Sequence, residues 1–127
     1  MSDKFLDLVR FDEDGLVPVI TQQHDSGEVL TLAWMNLEAV SETLTSGRLC
    51  YFSRSRGTLW RKGERSGQVQ SLVEMRIDCD GDTLLALVDQ IGVACHTGRR
   101  SCFFASAEAN GTMRTREVLI DPEKLYG

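Results

Sequence analysis

The sequence predicts an α+β fold, a mostly antiparallel β-sheet with one main helix, and three observations carry that prediction. Short apolar runs bounded by turn residues outnumber stretches of helical period. Only one stretch combines helical period with capping residues at both ends. The connections between apolar runs are too short for several parallel crossovers, which need a dozen or more residues each. The 127 residues suit a single domain over 1–127, with no linker, repeat or low-complexity segment to divide it.

Residues 16–20 and 29–34 are apolar runs of strand length, and the polar stretch 22–28 between them carries turn residues. Asn36 is then a helix N-cap, with Leu37, Val40 and Leu44 on one face and Gly47 as the stop. Residues 49–53 form a strand, 54–57 a polar loop and 58–61 a short strand. Residues 62–67 hold two glycines and no apolar residue, and so form a loop. From 68 to 78 the apolar positions Val69, Leu72, Val73, Met75 and Ile77 alternate only in part, which predicts a long, bulged strand. Asp80-Gly81-Asp82 is a turn, and 83–88 returns as the second strand of a hairpin. Residues 90–100 show no regular period. A last core strand is expected at 101–104 and a further strand at 116–120 of the tail.

Hydrophobic residues are 42% and charged residues 26% of the chain, ordinary for a globular protein. The first residues hold no apolar run of signal-peptide length, and no stretch approaches the roughly 20 apolar residues of a membrane span. A cytoplasmic protein is expected. In that reducing compartment the four cysteines point to metal or chemistry more than to disulfides. A net charge of −5 speaks against a nucleic-acid or membrane-surface partner. Yet between Arg48 and Arg65 six basic residues face one acid, Glu64. So concentrated a positive field suits a small phosphorylated ligand.

Cys79, Cys95 and Cys102 are spaced C-x15-C-x6-C, unlike any zinc finger or ribbon. Three thiolates with an open position suit a catalytic zinc; three small buried apolar residues would look the same in sequence. Cys50, inside the apolar run 49–52, is taken as core. Asp78, Asp80 and Asp82 flank Cys79. In an extended segment Asp78 and Asp80 point opposite to Cys79, offering oxygen ligands for magnesium on one side and a thiolate for zinc on the other. An ordinary solvated hairpin turn has the same composition. His24 sits in a polar turn and is assigned to the surface. His96, beside Cys95, is placed for general acid/base work, or for a structural role. The stretch 53–67 is dense in arginine, serine and glycine. It suits phosphate binding, with Trp60 to stack on a base, or else forms a solvated basic loop around a core tryptophan.

Taken together, the runs Val29-Leu30-Thr31-Leu32-Ala33-Trp34-Met35-Asn36, Ser53-Arg54-Ser55-Arg56, Leu59-Trp60-Arg61-Lys62-Gly63-Glu64-Arg65-Ser66-Gly67, Asp78-Cys79-Asp80-Gly81-Asp82 and Cys95-His96-Thr97-Gly98-Arg99-Arg100-Ser101-Cys102-Phe103 resemble the phosphoribosyl-AMP cyclohydrolases of histidine biosynthesis. The resemblance covers about residues 16–104. It implies zinc on Cys79, Cys95 and Cys102, with ligands from both subunits of an intertwined homodimer. It also implies magnesium at Asp78, Asp80 and Asp82. The implied substrate, phosphoribosyl-AMP, carries phosphates at both ends, and its adenine ring is opened by water at the N1–C6 bond. On that basis His96 transfers the proton, while Arg54, Arg56, Lys62, Arg99 and Arg100 are the phosphate candidates and Glu64 and Ser66 polar contacts. Three thiolates bring −3 to a +2 ion, and the Arg99-Arg100 pair is expected to offset the excess. Two rivals differ in class. A zinc purine deaminase attacks the same ring carbon, but its H-x-E…P-C-x-x-C signature is missing here. A non-catalytic structural-zinc module would close the site with a fourth ligand, for which His96 is available. No second domain is visible for a preceding pyrophosphohydrolase step, so one activity is expected.

Overall fold

The computed structural model describes residues 2–126, in the order α1 (Ser2–Leu6), β1 (Val17–Gln23), β2 (Val29–Met35), α2 (Leu37–Ser46), β3 (Cys50–Ser53), β4 (Thr58–Arg61), β5 (Gln70–Ile77), β6 (Leu84–Gln90), β7 (Ala105–Ala107), β8 (Met113–Thr115) and α3 (Pro122–Tyr126). A four-stranded sheet runs β2-β1-β6-β5, and two hairpins, β3-β4 and β7-β8, stand beside it. The class is α+β as expected, but the sheet is mixed. β1 and β6 pair in parallel at its centre, with Val19 opposite Leu84 and Gln23 opposite Val88. Sequence spacing misses this because the crossover between them is made of α2 and four strands rather than one helix.

Burial alternates along β1 and β6, so one face of the sheet carries Val17, Val19, Leu84, Ala86 and Val88 into the core. Leu30, Met35, Ala39, Val40, Leu49 and Tyr51 from β2, α2 and the β3 region join them. Each such large side chain stabilises the fold by about 1.5–3 kcal/mol. The Asn36 side chain accepts from the Ala39 N–H (2.9 Å), and Gly47 closes α2 in the left-handed conformation. The buried face of α2 is Ala39, Val40 and Thr43. Leu37 is exposed, because at the first helical position its side chain leans back past the cap. The bulge foreseen in β5 lies between Leu72 and Glu74.

Two expected strands are replaced. Residues 101–104 cross the end of β2 with a single ladder-like bond, Cys102 N–H to Leu30 O (2.7 Å), and leave Cys102 and Phe103 exposed. Residues 116–120 form a bend whose last two N–H groups both reach Gly98 O. The tail instead holds the β7-β8 hairpin, for which Asn110-Gly111 is the sequence signal. Among the described residues, no helix is long and apolar enough to cross a membrane.

A buried polar chain ties the sheet to the loops at its end. Tyr51 donates to Gln70 Oε1 (2.5 Å), so the Thr21 hydroxyl 2.8 Å away must donate to Tyr51. Gln70 Nε2 donates to Gln90 Oε1 (2.7 Å), and Gln90 Nε2 donates to Ile91 O (2.8 Å) and Gln68 O (3.1 Å). Among the described residues no buried side-chain nitrogen or oxygen lacks a partner.

Candidate active site

The β3-β4 hairpin is short because Gly57 turns it in four residues, and its strands set Tyr51 opposite Trp60 with ring centroids 5.5 Å apart. After β4 the chain must double back at once. Gly63, at φ +80°, allows it: a Cβ there would lie 2.4 Å from the Val69 nitrogen, so no other residue fits without moving backbone. The resulting loop 62–67 and the hairpin form one wall of a pocket of about 640 Å³, with Thr31 and Tyr51 below and Ala94, His96 and Cys102 opposite. That size falls in the range of small-molecule sites.

The opposite wall, 94–102, is a tight loop. Ala94 N–H bonds Arg100 O (2.9 Å), Cys95 N–H bonds Arg99 O (3.1 Å) and Gly98 N–H bonds Cys95 O (3.0 Å). Gly98, at φ +85°, leaves no room for a Cβ, which would meet Ile120 O at 1.8 Å. The tail is thereby locked against this loop. Cys95 is buried and accepts from the Thr97 hydroxyl (3.0 Å). Cys102 comes within hydrogen-bonding reach of it. Burial pushes the Cys102 thiol up although the residue as a whole is exposed. A bond with Thr31 lowers it, the Cys95 neighbour raises it and the Lys62 charge lowers it. His96 is exposed and faces the pocket.

Of the residues singled out in the sequence, Arg56, Trp60, Lys62, Glu64, Ser66, His96 and Cys102 meet in this pocket. Arg54 stands outside the lining with its guanidinium 4.5 Å from the Trp34 ring. Arg99 lies over Phe104 (4.1 Å) and donates to Arg116 O (2.8 Å). Arg100 clamps Gln90 O (3.1 Å) and Gly92 O (2.5 Å), with Glu28 at 3.6 Å. Both arginines of the pair donate to backbone carbonyls and so hold the loop. Arg65, Ser53 and Ser55 line the pocket without having been singled out. Arg65 belongs to the basic segment and was legible there. Arg61, also at the pocket, is paired with both oxygens of Glu42 (2.8 Å each).

Cys79 is elsewhere. It lies in the β5-β6 turn, before β6 begins, whereas Cys95 follows its end. Seven residues of strand, at about 3.3 Å each, place roughly 20 Å between them. Among the described residues the one group of three such ligand atoms within 4.8 Å of one another is Asp78, Cys79 and Asp80, all exposed. Their expected opposition across an extended strand is therefore corrected. The Gly81 N–H bonds Asp78 O (3.1 Å) with Gly81 at φ +75°, and this turn gathers all three on one side. Asp82 stands outside that group, its N–H on Asp78 Oδ1 (3.1 Å). As a donor set, two adjacent thiols with a buried ammonium nearby fit a soft divalent cation such as zinc. One chain brings two of the three cysteines together and presents the third, with two carboxylates, at its far end.

The sequence matches the family described as phosphoribosyl-AMP cyclohydrolase over residues 31–104. It is similar to a phosphoribosyl-AMP cyclohydrolase of Granulibacter bethesdensis, 67% identical over all of this chain and 99% of the relative. It is 64% identical to one from Alcanivorax borkumensis, over 96% of this chain and 86% of that protein. A third, from Rhodospirillum rubrum, is 65% identical over 94% of this chain and 84% of its own.

Proposed function

This chain belongs to the phosphoribosyl-AMP cyclohydrolase family, and from that premise we propose that it opens the adenine ring of phosphoribosyl-AMP, in histidine biosynthesis, at a zinc site shared between two copies of the chain. The observation that carries the reading is the meeting of His96, Cys102, Trp60 and the basic loop 62–67 in one pocket of about 640 Å³.

Water adds at C6 of the purine, the N1–C6 bond breaks and the proton passes to N1. Alkylation at N1 makes C6 electron-poor, so the carbon is ready for attack. Zinc, held by Cys95 and Cys102 with Cys79 of the partner subunit, would supply a water whose pKa is lowered towards about 7. His96 carries the proton from water to the departing N1. Trp60, its ring exposed at the pocket edge, stacks on the base. Arg56 and Arg65 take the phosphates, having no carboxylate within ion-pair distance among the described residues, with Ser66 and Glu64 as polar contacts. Asp78, Asp80 and Asp82, arriving beside Cys79 from the partner subunit, are the proposed magnesium ligands, where the ion offsets phosphate charge. A homodimer follows from the sharing: roughly 20 Å of strand keeps one chain from completing the cysteine set alone.

The test is ring opening of phosphoribosyl-AMP followed by ultraviolet absorbance, before and after zinc is stripped and restored. Turnover lost with zinc, regained with it and free of ammonia is the expected result. Ammonia release would make the protein a deaminase. A zinc-loaded, folded protein without turnover would leave a structural-zinc module.

A further inference from the structure

We propose that Lys62 is the counter-charge of the zinc thiolates, a positioning residue rather than a ligand for phosphate; the proposal rests on the zinc reading and deepens it. Arg61 and Lys62 follow one another at the end of β4, so they point to opposite faces. Arg61 goes outward to Glu42, and Lys62 goes inward. Only 8% of Lys62 is exposed. Its Nζ donates to the carbonyl of Ala94, the residue before Cys95 (2.5 Å), and lies 5.3 Å from the Trp60 ring centroid. Its head is turned to the Ala94 carbonyl at the pocket wall rather than to open solvent.

A buried ammonium needs a counter-charge. Among the described residues no carboxylate forms an ion pair with Lys62. Its Nζ is hydrogen-bonded to the residue before Cys95, and Cys102 lines the same pocket as Lys62. Three thiolates on a divalent ion leave the centre at −1, and one ammonium beside them makes it neutral. This is the role the sequence suggested for Arg99 and Arg100, both of which are engaged in pinning the loop. Lys62 would thus balance the charge of the metal-bound sulfurs and draw electron density from them, restoring Lewis acidity to the ion.

The experiment compares wild type with Lys62→Met and Lys62→Gln in the purified full-length protein. Zinc affinity is read by chelator competition, the cobalt-substituted form by its thiolate-to-cobalt absorption, and KM on fully loaded enzyme. Both variants should lose about 10- to 100-fold in zinc affinity. Their cobalt bands should move to longer wavelength, because sulfur electrons are less tightly held without the cation, and KM should stay near wild type. Glutamine retains an N–H donor for Ala94 O, so a merely structural lysine predicts an unshifted band in Lys62→Gln, and it serves if the methionine variant does not fold. Unchanged zinc affinity with raised KM would overturn the proposal and make Lys62 a phosphate ligand. A folded wild type that takes up no zinc would overturn the zinc reading itself.

Discussion

Replacing Tyr51 with Phe deletes one oxygen from the middle of the buried polar chain and little else. The ring is enclosed and keeps its packing against Trp60 and the core. Two partners lose their bond: the Thr21 hydroxyl at 2.8 Å and Gln70 Oε1 at 2.5 Å, each in a fully buried residue with no other side-chain bond to that atom. An orphaned buried polar group costs about 1–3 kcal/mol, and the gain from burying a benzene ring in place of a phenol returns part of it. The net loss is therefore about 2–4 kcal/mol, a large share of the roughly 5–15 kcal/mol that holds a domain folded. Equilibrium urea unfolding at matched protein concentration reads it as a fall in midpoint of about 1–2 M at constant slope. Adding Thr21→Val removes one orphan, so the double variant should be about 1 kcal/mol more stable than the sum of the single losses. A loss below about 0.5 kcal/mol, the scatter of surface substitutions, would refute the reasoning. It would mean that the chain relaxes or admits water.

Other expectations are more local. His96→Ala should retain zinc and lose about 10²–10⁴ in turnover, measured by the absorbance assay on metal-loaded protein; wild-type turnover would remove it from proton transfer. Arg56→Ala should raise KM with little change in kcat, because it removes a binding contact alone. Arg99→Ala, which removes one of the bonds between the tail and the 94–102 loop, should lower the thermal midpoint before it touches KM. Cys50, buried at the start of β3, has its thiol pushed up to about 12 by burial and by Glu42. A raised pKa means the thiol form persists at neutral and mildly alkaline pH, so native protein at pH 8 should leave Cys50 unalkylated, as peptide mapping after iodoacetamide would show. Labelling of Cys50 before unfolding would contradict its placement.

How much of this was legible depends on the range of the interactions. α2 was readable because its signals, Asn36 and Gly47, act within one turn of the helix they bound. The β5 bulge showed as a break in alternation at Leu72-Val73. The parallel β1-β6 pairing did not show, since nothing local distinguishes a parallel from an antiparallel neighbour. The strand expected at 101–104 is cut short: Ser101-Cys102-Phe103-Phe104 has strand composition, but Ser101 spends its hydroxyl on Val29 O (2.8 Å) and the segment makes one ladder-like bond to the edge strand β2, Cys102 N–H to Leu30 O (2.7 Å). In the site, residue types marked Arg56, Trp60 and Lys62 within the basic segment, yet not their directions. Alternation at the end of β4 sends Lys62 inward, and only the fold reveals that it reaches the Ala94 carbonyl beside Cys95 there. The bonds of the Arg99-Arg100 pair to Arg116 O and Gln90 O were likewise not legible, because they join residues distant in sequence. Cys79 and Cys95 flank the strand expected at 83–88, so their lying at opposite ends of β6 was legible in the sequence.

The shared site is tested most directly by mixing two inactive variants. Cys79→Ser and Cys95→Ser damage opposite ends of the same chain, so each alone should lose zinc and turnover. If two copies build each site, subunits exchanged between the variants form mixed dimers with one site lacking both cysteines and the other intact. The mixture should regain up to about a quarter of wild-type turnover, since half of the dimers are mixed and each holds one working site of two. A mixture of exchanging subunits that stays as inactive as its components would contradict the account.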